Sequence, residues 1–334
     1  MTDSAARTPV PLSRVWSGRD IIAENVQGDD LGDVLELNSG ASAWWVLPRP
    51  GDQPSPLLLQ AASALELDEL ALRDLTAEDQ RAKFEELTQC RLVVTGAVLL
   101  DRHSLQLQVA GVSMLVTDRA LICLAEPLGT DFDPARLLAQ RSRLLATGGV
   151  EEALQLVVEA VVSTYDVVVE WLEDSSDGLS EVLLAQRPLD KDQQLLAFRL
   201  RQVLSQLRRL TEPMRAVLDD LTESQRAESA HSRRWAVLRE HHHRVANAAD
   251  ALRETMSSVL ETSLALAAVR GNDNMQKLTG WAAIVAVPTL VTGFVGQNVE
   301  FPLDGTTAGF WVYLLLMVAA VVVLYVLFRR KGWI

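Results

Sequence analysis

Seven residues near the end of the chain recur at steps of three and four: Asn272, Met275, Thr279, Ala282, Ala286, Thr289 and Gly293. That spacing sets them along one face of an α-helix, and the face is small and mildly polar. A stripe facing lipid would not choose such residues. Hydroxyls and exposed carbonyls can serve a hydrated ion, so the edge suits the lining of a narrow, water-bearing path. Close helix packing through small residues produces the same spacing and stands as the alternative. Three consecutive histidines, His241, His242 and His243, raise a metal reading. Neighbours on a helix point about 100° apart, so the three cannot converge on one ion unless His231 and a second element help. A polar stretch of helix is the plainer reading. The chain has no Gly-rich phosphate loop, no Gly-x-Ser-x-Gly and no HExxH, so an enzyme is not expected and no cofactor is implied.

The element that positions the small-residue face follows from charge. The 334 residues carry a formal charge of −13, which argues against a nucleic-acid partner. The first 270 residues hold 27 basic and 41 acidic side chains, whereas the last 64 carry a net +1. Two windows in that last part have no charge at all: 22 residues from Leu278 to Val299 and 24 from Gly305 to Phe328. Each is long enough to cross about 30 Å of hydrocarbon as a helix. Trp281, Trp311, Tyr313, Tyr325 and Trp333 lie near the ends of the windows, where amphipathic rings favour the headgroup level. Arg270 and Lys277 precede the first span and Arg329, Arg330 and Lys331 follow the second, while the connection has acids and no base. Both termini are therefore expected in the cytoplasm of a multi-pass protein of the plasma or inner membrane. The N-terminus shows no apolar signal region. Cys90 and Cys123 are distant and in no CxxC spacing, which excludes a disulfide framework and a cysteine zinc site.

Upstream, the chain reads as α+β. Residues 1–30 are expected to be a flexible tail, and residues 31–150 an α/β domain. Its strand signals are residues 41–47, 90–100, 104–109, 112–117 and 120–125, with Asp118-Arg119 as a hairpin turn. Leucines at 65, 67, 70, 72 and 75 predict a helix within residues 65–87. From 151 to 270 helical periods dominate, with breaks expected at Ser175 to Gly178, at Pro188 and around Thr222 to Ser232, and a kink or start at Pro213. From about Arg233 to Gly296 the only proline is Pro288, so a helix of about 95 Å can run unbroken as a stalk into the bilayer. Its stripe of Val245, Ala249, Leu252, Met256, Val259, Leu260 and Leu266 needs helical partners. The remaining segments are a first span at 271–298, an exported loop at 299–308, a second span at 309–328 and a basic tail at 329–334.

Residues 272–298, NDNMQKLTGWAAIVAVPTLVTGFVGQN, resemble the first transmembrane helix of the CorA family of divalent-cation channels. That helix carries N-x-x-M-x-x-L-T, a central Pro-Thr and a terminal Gly-Met-Asn. Asn272, Met275, Leu278, Thr279, Pro288, Thr289, Gly293, Gly296 and Asn298 fall in register. The segment LDELALRDL…QRAKFEE and the tail RRKGWI resemble further parts of the family. Gln297 departs from it, standing where Met is usual and where a zinc-transporting ZntB-like branch often has Ile.

The resemblance implies a funnel-shaped homopentamer with the first span around the axis and the second in an outer ring. A single two-helix hairpin cannot enclose a channel, so some oligomer is required on physical grounds as well. Gly296, Gln297 and Asn298 would then form the selectivity filter, with Asn298 presenting neutral amide oxygens to the shell of an ion that dehydrates reluctantly. The pore lining would comprise Asn272, Met275, Leu278, Thr279, Ala282, Ala286, Thr289 and Gly293, and Met275 and Leu278 would gate by dewetting. Glu300 and Asp304 either concentrate cations at the outer mouth or simply solvate the loop. Glu261 is a candidate regulatory metal ligand, with ordinary solvated surface as its alternative. The expected cargo is Mg²⁺ first, with Co²⁺ and Ni²⁺ next. A ZntB-like, proton-coupled Zn²⁺ transporter and a non-transporting membrane scaffold are the competing functions. A potential of 100 mV acting on two charges supplies about 4.6 kcal/mol, so inward movement needs no ATP site.

Overall fold

The computed structural model describes residues 12–26, 28–49, 56–65, 67, 69–77, 81–224, 230–297 and 306–334. The chain forms two compact units: residues 1–180 with 191–258, and residues 181–190 with 259–334.

The first unit is built on a seven-stranded sheet. Its strands are β1 (Ser13–Ser17), β2 (Asp20–Glu24), β3 (Ala41–Leu47), β4 (Lys83–Glu86), β5 (Arg91–Asp101), β6 (Gln106–Val116) and β7 (Ala120–Leu124). They lie in the order β2-β1-β3-β7-β6-β5-β4. Every neighbouring pair is antiparallel except β3 and β7, which run parallel with Trp45 opposite Ile122. The strands are rich in Val, Leu and Trp that fit a pleated, buried surface. One face packs Trp45, Leu47, Leu92, Val94, Leu115 and Ile122 against Leu58 of α2 (Pro56–Ala64) and Ala71 and Leu75 of α3 (Glu69–Thr76). The short helix α1 (Gly28–Leu37) adds Leu35 to that core.

Three long helices complete the unit after α4 (Pro134–Gln140): α5 (Ser142–Leu184), α6 (Lys191–Glu223) and α7 (Ala230–Val295). On α6, Leu200, Leu204, Leu207, Thr211, Met214, Leu218 and Leu221 are all buried. Their alternating steps of three and four are the seam of a helix packed on helices. It packs beside β4, β5 and β6 of the sheet and against α7, whose His242 reaches the Thr211 carbonyl at 2.9 Å. Trp235 of α7 is fully buried, and its indole donates to Glu151 of α5 at 2.8 Å. Glu151 also pairs with Arg91 of β5 at 2.7 Å, so one carboxylate ties both helices to the sheet. Arg234 pairs with Glu152 on the same side. Between α6 and α7, Arg208 meets Asp250 at 3.4 Å and Arg239 meets Asp219 at 3.6 Å. Against the sheet, Tyr165 donates its hydroxyl to the Gly96 carbonyl at 2.6 Å.

Several expectations are corrected. The tail expected through residue 30 contributes β1 and β2, because Val15 and Trp16 bury on the edge of β3. The helix predicted over 65–87 ends at Thr76, where its leucine period stops. Lys83–Glu86 instead forms an edge strand with Phe84 opposite Val93. The two runs at 104–109 and 112–117 are one strand, β6. No break occurs at 175–178, since the serines return their hydroxyls to the helix: Ser175 donates to the Trp171 carbonyl and Ser180 to that of Ser176. The interruption in α5 falls at Gly149, with φ 65° and ψ −151°, a conformation open essentially to glycine. The regions expected at 31–150 and 151–270 are not separate units either: the sheet shares one unit with residues 151–180 and 191–258, and residues 181–190 and 259–270 fall in the second.

In the second unit, the later part of α7 runs beside α8 (Thr307–Arg330) in the opposite direction. The α5–α6 connection anchors to α7 here, with Leu189 N–H donating to the buried Ser263 hydroxyl at 3.0 Å and Arg270 donating to the Gln186 carbonyl at 3.2 Å. Thr306 caps α8 by accepting from Gly309 N–H at 3.1 Å. At the far end Arg329 and Arg330 still belong to the helix, and Trp333 folds back to stack on Phe328.

Candidate functional site: the exposed edge of α7

Both α7 and α8 contain a stretch long and apolar enough to cross a membrane, and only 11% and 0% of those stretches is buried within the chain. A soluble protein would hide such helices in its core. Large apolar surface left outside marks contact with lipid or with other copies of the chain.

The last part of α7 has two distinct sides. Gly280, Ala283, Ile284, Val287, Val291 and Val295 are buried or half-buried and fall on one face of the helix. At the start of that stripe side chains close on the helix: a Cβ at Gly280 would lie 3.3 Å from the Ile334 side chain and 3.7 Å from that of Phe328. Gly280 therefore belongs to packing with α8. The opposite edge carries Asn272, Met275, Thr279, Ala282, Ala286, Thr289 and Gly293, all of them exposed. Small-residue packing is thus assigned to one side of α7, and the small polar stripe lies on the other. Leu278 is also exposed, beside Met275.

The threonine hydroxyls on this helix are oriented by its backbone. Thr279 donates to the Met275 carbonyl at 2.8 Å and Thr289 to the Val285 carbonyl at 3.1 Å. Thr292 donates to Pro288 at 2.8 Å and to Thr289 at 3.1 Å. With the single O–H proton spent on the helix, each hydroxyl oxygen keeps its lone pairs for an outside donor. An exposed row of acceptors of this kind matches the hydrogens of a cation's hydration shell. Pro288 lies on the half-buried side instead, where its missing N–H leaves the helical bond to the Ile284 carbonyl unmade.

At the end of the helix, Gly296 N–H still bonds the Thr292 carbonyl at 2.9 Å, and Gln297 N–H tightens onto Phe294 at 3.3 Å. A Cβ at Gly296 would stand only 3.0 Å from the Thr292 oxygen, so a side chain there would press on the last turn. Gln297 is exposed. Asn298, Glu300 and Asp304 lie outside the described residues.

The remaining candidates separate. Glu261 is exposed on α7, and no ion pair holds it among the described residues. The histidine run diverges, as helical geometry requires. His242 is fully buried with Nε2 2.9 Å from the Thr211 carbonyl, and burial pushes its pKa down to about 4. His241 instead approaches Asp166 at 3.6 Å. Among the described residues no group of three or more His, Cys, Asp or Glu is placed to hold a metal ion. The role of Gly280 was not read from the sequence, although a glycine inside an apolar span was its signal.

The exposed apolar stretches of α7 and α8 are those of a two-span membrane protein. The chain belongs to the family of CorA-like Mg²⁺ transporter proteins, whose pattern it matches over residues 44–330. It is 25% identical over 309 residues to the cobalt/magnesium transport protein CorA of Thermotoga maritima, covering 91% of this chain and 87% of that one. Its fold is similar to the complete structure of the CorA magnesium transporter from Methanocaldococcus jannaschii, with a TM-score of 0.76 at 20% identity, covering 98% of this chain and all of the other. The full-length CmaX protein is similar too, with a TM-score of 0.70 at 21% identity over 97% of this chain and 99% of that one.

Proposed function

We propose that this chain is one subunit of a homopentameric channel that carries hydrated divalent cations, Mg²⁺ above all and Co²⁺ and Ni²⁺ next, down their electrochemical gradient. The observation that carries the proposal is the exposed row of Thr279, Ala282, Ala286, Thr289 and Gly293 on the side of α7 away from α8. Several copies meeting along that edge would enclose a wet axial path, with α8 outside. Asn272 and Met275 extend the row toward the cytoplasm, and Leu278 joins Met275 in an apolar ring that closes by dewetting.

In this reading Gly296, Gln297 and Asn298 form the outer filter. Neutral oxygens suit an ion that keeps its waters, because they accept from the hydration shell without stripping it. Glu300 and Asp304 raise the local cation concentration at the mouth. Both termini face the cytoplasm, in keeping with the basic residues flanking the spans. Glu261 would hold a regulatory cation together with an acid from a neighbouring copy.

The test is flux into liposomes loaded with a Mg²⁺-sensitive dye, with an inside-negative potential. Wild-type protein is expected to admit Mg²⁺, and Asn298→Ala to abolish the flux. The absence of flux from correctly oriented wild-type protein, or a strictly monomeric state in detergent and in bilayers, would overturn the proposal.

A further inference from the structure

The first unit carries a strongly basic cavity that ion conduction does not use. It has a volume of about 830 Å³ and lies where α6 passes the glycine pair Gly96 and Gly111 of β5 and β6. Arg49, Arg81, Arg208 and Arg209 line it, with Glu212 as the acid among its lining residues. Arg208 is engaged by Asp250, and Glu212 is drawn to Arg215 at 3.8 Å. Arg49, Arg81 and Arg209 have no carboxylate partner among the described residues. In a protein of net charge −13, one cavity thus gathers three guanidinium groups that have no carboxylate partner among the described residues.

Two features make this a built site. Arg49 is held in place, donating through Nη2 to the Ala77 carbonyl at 2.8 Å and approaching the Ser113 hydroxyl at 3.4 Å. Room for it is made by Gly111, where a Cβ would fall 2.0 Å from Nη1. Its buried Nε finds no acceptor among the described residues. Thr95, a second lining residue, is only 4% exposed, and its hydroxyl is likewise without a partner among the described residues. Buried donors without acceptors are costly unless something supplies an acceptor.

We propose that this cavity binds a polyphosphorylated small-molecule anion. Guanidinium groups match phosphate oxygens in geometry and charge, and a chain of phosphates can engage several of them at once. A single phosphate would fill little of a cavity within the usual range for small-molecule sites. The concave placement of the arginines, on an otherwise acidic unit, disfavours a nucleic-acid strand.

The test is calorimetric titration of the full-length protein in detergent, in a metal-free buffer, with inorganic phosphate, tripolyphosphate and ATP as separate probes. The variants are the double substitution Arg81→Gln/Arg209→Gln, at exposed positions, and Arg201→Gln, on α6 outside the cavity, as control. Saturable binding of tripolyphosphate or ATP is expected, at least about tenfold tighter than phosphate and weakened about tenfold or more by the double variant. Arg201→Gln should bind like wild type. Equal affinities for ATP and tripolyphosphate would show that the phosphate chain alone is read, and tighter ATP that the nucleoside is also held; both support the proposal. No saturable binding of either polyphosphate, affinity no better than that of phosphate, or equal affinities in the double variant and the control would overturn it. None of these readings depends on cation flux.

Discussion

His242 should make the protein acid-labile in a way that one substitution removes. Its Nε2 faces the Thr211 carbonyl at 2.9 Å, which fixes the proton on Nε2, and its buried Nδ1 has no partner among the described residues. The ring sits 5.9 Å from that of Tyr165. A second proton would enter a site with no acceptor; burial is the main reason its pKa falls from 6.5 to about 4, with His243, Arg215 and His241 adding repulsion. Unfolded chain takes up that proton near pH 6.5, whereas folded chain resists until about pH 4. Stability is therefore lost as pH falls through this window and the loss is complete below it, to a total of about 3 kcal/mol. For a unit of this size that is roughly 6–12 °C in Tm. His242→Phe keeps a ring beside Tyr165 but cannot titrate. It should be about 1 kcal/mol less stable than wild type at pH 7.5, for want of the bond to Thr211. It should overtake wild type at about pH 5–6, where the histidine penalty exceeds that loss. Thermal melts of both proteins in detergent, followed by tryptophan fluorescence at one scan rate, measure this. Parallel Tm curves from pH 7.5 to 4 would refute the reasoning.

Two further outcomes are expected. Glu151→Ala strands both Arg91 and the indole of fully buried Trp235, so it should cost about 2–4 kcal/mol and shift Trp235 emission to the red; an unchanged Tm would show that the carboxylate is dispensable. Met275→Ser and Leu278→Ser should each raise resting cation flux into liposomes several-fold by wetting the inner constriction, and flux equal to wild type would remove these residues from the gate.

Local patterns in the sequence carried much of this architecture. The two charge-free windows mark the membrane-crossing parts of α7 and α8, and the valine and leucine runs mark β3, β5 and β7. The edge from Thr279 to Gly293 was legible because one period on one helix suffices to define it. Non-local facts were not legible. The parallel seam between β3 and β7 joins residues far apart in the chain, and neither strand's composition specifies its neighbour. Lys83–Glu86 reads as helix by composition and becomes a strand only because β5 offers it an open edge. The serines at 175–180 look like a break until their hydroxyls are seen to close on the helix behind them. Arg49 shows no special spacing either; its place depends on Gly111, more than sixty residues later.

The position of Trp235 also bears on how the protein is made. All seven strands have been synthesised once Leu124 is added, but the indole that meets Glu151 comes 84 residues after its partner. At 5–20 residues per second, roughly 6–22 s pass between Leu124 and Trp235. Throughout that interval the helical layer lacks its last member, and the first bilayer-crossing stretch follows soon after on the same helix. The helical layer is therefore completed only shortly before the first apolar stretch of α7 is made. A soluble fragment cut before residue 230 would be missing that indole; one that keeps the chain through 258 retains it.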